Sequence, residues 1–154
     1  MRAIWFVMVL AALAGCASAK TGDTLADSVR QYNDGVRWER FPVAAVHVPP
    51  KERATFIEQA DDRAHDLKIT EYDVLRIDSK SDREATVQIK MSWYRESEGL
   101  LRETQSLQSW EKHGKTWWMV DEARFKGQEM PGLEEPVGSP VGLGAQEPLS
   151  KTQE

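Results

Sequence analysis

Three histidines, one cysteine and a cluster of carboxylates are the side chains of this 154-residue sequence best suited to moving protons, holding a metal or acting as nucleophiles. His47, His65 and His113 come first, because imidazole titrates near neutrality. They stand far apart, without the i, i+4 pair that turns two imidazoles toward one metal on a helix face. His113 adjoins Gly114 in an expected turn and His65 lies near an expected helix end, so both read as solvated polar residues. His47 sits in an apolar segment and is the histidine best placed to point into a pocket. Asp61-Asp62 and Asp66 gather carboxylates, but a calcium loop needs oxygen ligands at fixed offsets around a glycine, and those offsets are missing. Asp34, inside Asn33-Asp34-Gly35, suits turn chemistry. The expectation is no metal, no cofactor and no catalytic set.

The tryptophans offer a different chemistry, that of binding. Trp38, Trp93, Trp110, Trp117 and Trp118 fall in the central part of the chain. Trp117 and Trp118 are adjacent on an expected strand, so they must face opposite sides of a sheet. Core filling is the default for most of them. An exposed Trp beside Met119 or Tyr94 would mark a partner surface. His47, Trp93, Trp110, Trp117 and Trp118 are therefore the residues expected to line a pocket or a partner surface.

The cysteine is placed for a third chemistry. Arg2 is followed by an apolar run from Ile4 to Ala14, about eleven residues, against the roughly 20 a helix needs to cross a bilayer. A short apolar run behind a basic start is the form of an export signal. It ends in Leu13-Ala14-Gly15-Cys16, which resembles the lipobox of bacterial lipoproteins. That resemblance implies cleavage after Gly15, diacylglycerol on the Cys16 sulfur and acylation of the new amino group. The alternative is an ordinary secretory signal cut near Ala17-Ser18-Ala19. Cys16 is the sole cysteine, so no internal disulfide can form in an oxidising compartment. Two or three acyl chains hold firmly where one is marginal. Ala17, where some lipoproteins carry Asp, implies sorting to the outer membrane, with the domain on its periplasmic face.

Those groups must be positioned by the elements between the two ends. Residues 1–15 are read as signal peptide, 16–22 as lipidated tether, 23–126 as one α+β domain and 127–154 as a disordered Gly/Pro-rich tail. Loss of residues 1–15 removes one basic residue, leaving nineteen basic against twenty-five acidic side chains, a net −6. With no Lys/Arg cluster, nucleic acid and anionic lipid head groups are poor candidates for electrostatic partners, and no nucleic acid is expected. Thr24-Leu25-Ala26-Asp27 is a helix-start capping pattern, after which Leu25, Val29, Tyr32 and Val36 share one helical face. A short apolar segment from Trp38 to Val48 stops at Pro49-Pro50, where the next helix opens and runs to about Ala64 with Ala54, Ile57 and Phe56 inward.

The period then changes to two. Ile69 to Ile77 reads as a strand, with Leu75 and Ile77 on one face and Tyr72 and Val74 on the other. Val87, Ile89, Met91 and Trp93 alternate with polar residues in the clearest strand. Leu101–Glu111, with a polar middle, and Thr116–Phe125 complete four strands joined by short polar turns, hence antiparallel neighbours. The fold class is α+β: two to three helices packed on a four-stranded meander.

That order, with Tyr32-Asn33-Asp34-Gly35-Val36-Arg37-Trp38, then Phe41, Ala44, Ala45 and Val46 before Pro49 and a Trp-rich last strand pair, is similar to the cone fold of the nuclear transport factor two-like superfamily, which includes ketosteroid isomerase and scytalone dehydratase. The resemblance implies a curved sheet wrapped on helices, with an apolar pocket at the open end in some members. Tyr32 and Asp34 would then sit near the pocket mouth. No catalytic motif matches residue by residue, so no catalytic role is carried over. Sheets of this fold often dimerise face to face, which makes a homodimer one expectation.

The leading expectation is a membrane-anchored, non-enzymatic binding or accessory domain that meets a protein partner in the cell envelope. The alternatives are a carrier of a small apolar ligand and an enzyme of the dehydratase or isomerase type. Whether inward Met91, Trp93 and Trp110 enclose a cavity or pack it solid separates them.

Overall fold

Thr24 opens the first helix as its capping pattern requires: its hydroxyl accepts from the Asp27 N–H at 3.2 Å. The computed structural model describes residues 24–135, so the segments expected to be signal peptide and tether, with Cys16, and residues 136–154 lie outside the described residues. Helix α1 (Leu25–Arg37) buries Val29 and Tyr32 and packs Leu25 and Val36 against the same core. It runs through Asn33-Asp34-Gly35 without a break, so Asp34 is helical and its carboxylate accepts from the Tyr72 hydroxyl at 3.0 Å. Glu39, in left-handed conformation (φ 55°), turns the chain, and the Arg40 N–H reaches back to Gly35 O. α2 (Phe41–Ala44) continues into a 3-10 turn over Ala45–His47.

Gly35 is where α1 meets α2. A Cβ there would stand 2.8 Å from Ala44 N and 2.9 Å from Ala44 Cβ. Gly35→Ala is therefore expected to destabilise the domain by about 1–3 kcal/mol through overpacking, although alanine favours a helix by about 1 kcal/mol. Urea unfolding checks this, and an unchanged midpoint would mean that the two helices do not meet so closely.

α3 (Arg53–Ala64) presents Phe56 and Ala60 inward, with Ile57 half-buried, while Ala54, expected inside, is exposed. Four strands follow: β1 (Leu67–Ser79), β2 (Glu84–Arg95), β3 (Arg102–His113) and β4 (Thr116–Gly127). They form one antiparallel meander in the order β1-β2-β3-β4. The α+β architecture is thus three helices followed by a four-stranded antiparallel sheet. In β1 a register shift between Val74 and Arg76 inserts an extra residue, so Tyr72, Val74 and Ile77 pair with the inward Met91, Ile89 and Val87 and share a face. The even alternation expected there fails because a bulge reverses side-chain parity beyond it.

The core lies between the helices and the inner face of β2 and β3. Val87, Ile89, Trp93 and Trp110 are almost wholly buried there. β4 ends at Gly127 (φ 92°). The chain then keeps an ordered course through Glu135, where the sequence suggested a disordered tail from Gly127 onward. Met130 is buried, Leu133 packs on the core, and Ala123 and Glu134 form a parallel bridge. Two apolar side chains suffice to hold a short segment, although they form no periodic pattern. Among the described residues no helix is long and apolar enough to cross a membrane.

Candidate site at the open end of the cone

Tyr32 on α1 reaches the open end of the helix–sheet layer, where Phe56 and Arg63 of α3, Met91 of β2 and Glu122 of β4 converge around a cavity. The space open to the centres of water-sized molecules is about 80 Å³. One water requires roughly 10–15 Å³ on that measure, so the cavity holds about half a dozen waters or a ligand of similar bulk. Its walls are mainly apolar, and the polar side chains among them are those of Tyr32, Arg63 and Glu122, with Arg37 and Glu39 also on the lining.

The Glu122 carboxylate is set by a buried hydrogen-bond chain. Asn33 Nδ2 donates to Val29 O at 2.8 Å, tying the chain to α1. Asn33 and Gln108 exchange side-chain amide bonds, with Gln108 Nε2 donating to Asn33 Oδ1 at 3.0 Å. Gln108 Nε2 also donates to Glu122 Oε1 at 3.0 Å, and Ser106 Oγ donates to the same oxygen at 2.7 Å. Trp110 Nε1 donates to Gln108 Oε1 at 3.2 Å. Thr104, Ser106 and Gln108 are fully buried although polar, because β3 turns them inward on alternate positions.

The electrostatics follow from this placement. Burial pushes the Glu122 pKa above the usual carboxylate range, against the opposing pull of the Ser106 and Gln108 hydrogen bonds and the Arg63 charge. Part of the side chain still opens on the cavity, so the carboxylate is reachable from it although protein surrounds it. Burial and the Glu122 charge raise the Tyr32 pKa well above 10, with Arg63 opposing. Tyr32 is therefore a phenol donor at any physiological pH, and its hydroxyl has no hydrogen-bond partner among the described residues. A neutral donor, a reluctant carboxylate and a guanidinium thus face one apolar hollow.

The folded state holds the Glu122 proton more tightly than the unfolded chain does. This carboxyl therefore adds stability below its unfolded pKa and loses that contribution as pH rises through the folded value. Glu122→Gln, which keeps the acceptor for Ser106 and Gln108, is expected to stabilise the domain by about 1 kcal/mol at pH 8 and by less at pH 4. Thermal melts at the two pH values check it; an equal effect at both would show that the carboxylate is not penalised.

The residues expected from sequence to line a pocket fare differently. His47 is fully buried away from the cavity. Its Nδ1 lies 3.0 Å from Trp117 O and its Nε2 lies 2.5 Å from Gln31 Oε1, so it ties the 3-10 turn to α1 and β4. Trp93, Trp110 and Trp117 are buried core residues and do not line this cavity. Trp93 Nε1 donates to Thr104 Oγ1 at 2.9 Å, and Trp110 meets Tyr32 edge-on with centroids 5.8 Å apart. Trp118 points the other way, as its adjacency to Trp117 required, and stacks on His113 with centroids 4.1 Å apart. Trp38 is 60% exposed with the Arg37 guanidinium over its ring.

Asp66 accepts from the Ser97 N–H at 2.8 Å and its hydroxyl at 3.0 Å, bonds that lower its pKa, so it anchors a turn. His65 lies against the carbonyls ending α3. Among the described residues no group of three or more His, Cys, Asp or Glu is placed to hold a metal ion. Sequence reasoning named Tyr32 but missed Glu122 and Arg63. The available signal was the polar alternation Thr104, Ser106, Gln108 in a strand ending in Trp110, which puts polar groups on a buried face.

No family model matches the sequence, and none of the curated proteins matches it. Solved structures do. The solution structure of a SEC-C motif containing protein from Rhodopseudomonas palustris superposes with a TM-score of 0.56 at 15% identity, over 65% of this chain and 77% of that chain. The crystal structure of a ketosteroid isomerase-like protein from Erwinia carotovora atroseptica superposes with a TM-score of 0.55 at 10% identity, over 71% of this chain and 98% of that chain. The fold is the nuclear transport factor two-like cone. At these identities the likeness reaches the arrangement of helices and strands and stops short of any activity, since this fold hosts enzymes, carriers and interaction modules.

Proposed function

We propose that this chain is a bacterial lipoprotein, held through Cys16 at the periplasmic face of the outer membrane, whose cone domain is a non-enzymatic binding module. Its ligand is a small, mainly apolar molecule with one hydrogen-bonding head. An envelope protein that delivers or receives the ligand is the expected partner. The observation that carries the binding half of this reading is the cavity itself: apolar walls with a Tyr32 donor, a Glu122 acceptor and the Arg63 charge at one place. Few convergent polar groups in an apolar concavity are the usual form of a small-molecule site. The lipobox pattern before Cys16 carries the anchor half.

A second reading is favoured by one specific feature. A buried carboxyl of raised pKa beside a phenol donor is also what proton transfer at a carbon next to a carbonyl requires, with the carboxylate as base and the phenol on the carbonyl oxygen. Binding ranks first because Glu122 Oε1 is already committed to Ser106 and Gln108, which fixes the carboxylate for holding a ligand head.

Pull-down of the intact protein from native membranes, with Cys16→Ser as control, tests the proposal. The intact form should be recovered from the membrane with a protein partner, and the control should be soluble and lose it. Equal membrane association of both forms would remove the lipid anchor from the account. Turnover of a simple cyclic enone by the native form, abolished in Glu122→Gln, would move the second reading ahead of the first.

A further inference from the structure

The cavity at the cone's open end has a neighbour. A groove of about 370 Å³ runs beside it, and Tyr32, Phe56, Arg63, Glu122, Gly132 and Leu133 line both. The partition between the two hollows includes the segment after β4. Gln128 starts it: its N–H donates to Glu103 O at 3.0 Å, and its carbonyl accepts from Thr104 Oγ1 at 2.6 Å. Met130 and Leu133 then join the cavity wall. At Gly132 (φ 80°) a Cβ would fall 2.5 Å from Arg63 Nε, so the bare backbone packs on the guanidinium. Arg124 holds the far end. Its N–H donates to Glu134 O at 2.7 Å, and its guanidinium grips the Glu135 carboxylate, with Nε to Oε1 at 2.6 Å.

We propose that residues 128–135 are an autoinhibitory strap, latched by the Arg124–Glu135 pair, that helps to divide the cavity from the groove and must swing aside before one ligand can occupy both and meet Tyr32 and Glu122 from the two sides at once. This rests on the reading of the cone as a ligand site. The strap's two ends are held unequally. The Gln128 end is pinned by two backbone bonds and by the buried Met130 just beyond it. The far end depends on one parallel bridge pair and an ion pair whose side chains are 27% and 44% exposed. Exposed ion pairs contribute little to stability, so this end opens with least loss. Its release joins cavity and groove into a hollow of the size usual for small-molecule sites, about 300–1,000 Å³. While the strap is closed in most molecules, apparent affinity is reduced by the open fraction.

The test uses the full chain and the fluorescent probe 1-anilinonaphthalene-8-sulfonate, with affinity and association rate measured for the native form, Arg124→Glu, Glu135→Arg and the double exchange. Both single reversals break the latch and should bind about fivefold tighter and faster, and the double exchange, which restores the pair in reverse, should return to the native values. Circular dichroism melts confirm that each form is folded. Equal affinity and rate in all four forms would overturn the strap while leaving the cone site standing. Probe binding that persists in Ala60→Trp, which fills the cavity, or no binding in any form, would remove both.

Discussion

Trp110→Ala is expected to destabilise the domain by about 3–5 kcal/mol, the range for emptying a buried aromatic site. Trp110 is 1% exposed, meets the Tyr32 ring edge-on and donates its indole N–H to Gln108. Truncation would leave a void between Tyr32 of α1 and Gln108 of β3. It would also strip Gln108 Oε1 of one donor. Against the 5–15 kcal/mol typical of a whole domain, this loss would lower Tm by about 15 °C or more. Thermal unfolding followed by circular dichroism gives the answer directly. A fall of only a few degrees would show that the ring is less central to the packing than its burial indicates.

Gln108→Leu ranks beside it for a different reason. Leucine fills most of the same volume, so the change removes hydrogen bonds while creating little void. Gln108 joins Asn33, Trp110 and Glu122, all in the interior, and each partner left without its bond costs about 1–3 kcal/mol. The expected loss is about 3–5 kcal/mol, most of it at the Glu122 carboxylate, which would keep only Ser106. Adding Glu122→Leu to Gln108→Leu should therefore recover more than about 1 kcal/mol, because it removes the group left unsatisfied. Urea unfolding of the two single variants and the double variant checks this. Strictly additive losses would mean that the two side chains do not share a network.

These two residues also mark what could be read before the fold was known. β2 declared itself because Val87, Ile89, Met91 and Trp93 alternate without interruption. The two adjacent tryptophans of β4 were split between faces by strand geometry alone. The strand order followed from turns too short for a crossover. β3 was recognised as a strand, but its polar middle hid its meaning: polar side chains at alternate positions look solvent-facing until the partner strand fixes which face is inward. Only pairing shows that Ser106 and Gln108 lie on the face of Ile89 and Val87. Glu122 was invisible for the same reason, because a lone carboxylate in Val120-Asp121-Glu122-Ala123 has no local mark of burial.

His47 was legible as unusual and misplaced in role. An imidazole in an apolar stretch can face a pocket or satisfy a backbone carbonyl, and the choice depends on Trp117, which lies 70 residues further on. β1 misled through its bulge, which moves Ile77 to the face of Val74. The segment after Gly127 misled through composition. Proline and glycine do not forbid an ordered path when Arg124 and Thr104 supply its partners.

The proposed occupancy of the cone's open end by a small molecule, between Tyr32, Arg63 and Glu122, is open to direct measurement. Its most direct test is mass spectrometry of the small molecules extracted from protein purified out of native membranes, the native form beside Ala60→Trp. Ala60 lines the cavity and is 6% exposed, so a tryptophan there fills it. One mainly apolar species is expected at near-stoichiometric amount in the native form and is expected to be lost in the filled form. No such species in either form, or the same amount in both, would contradict it.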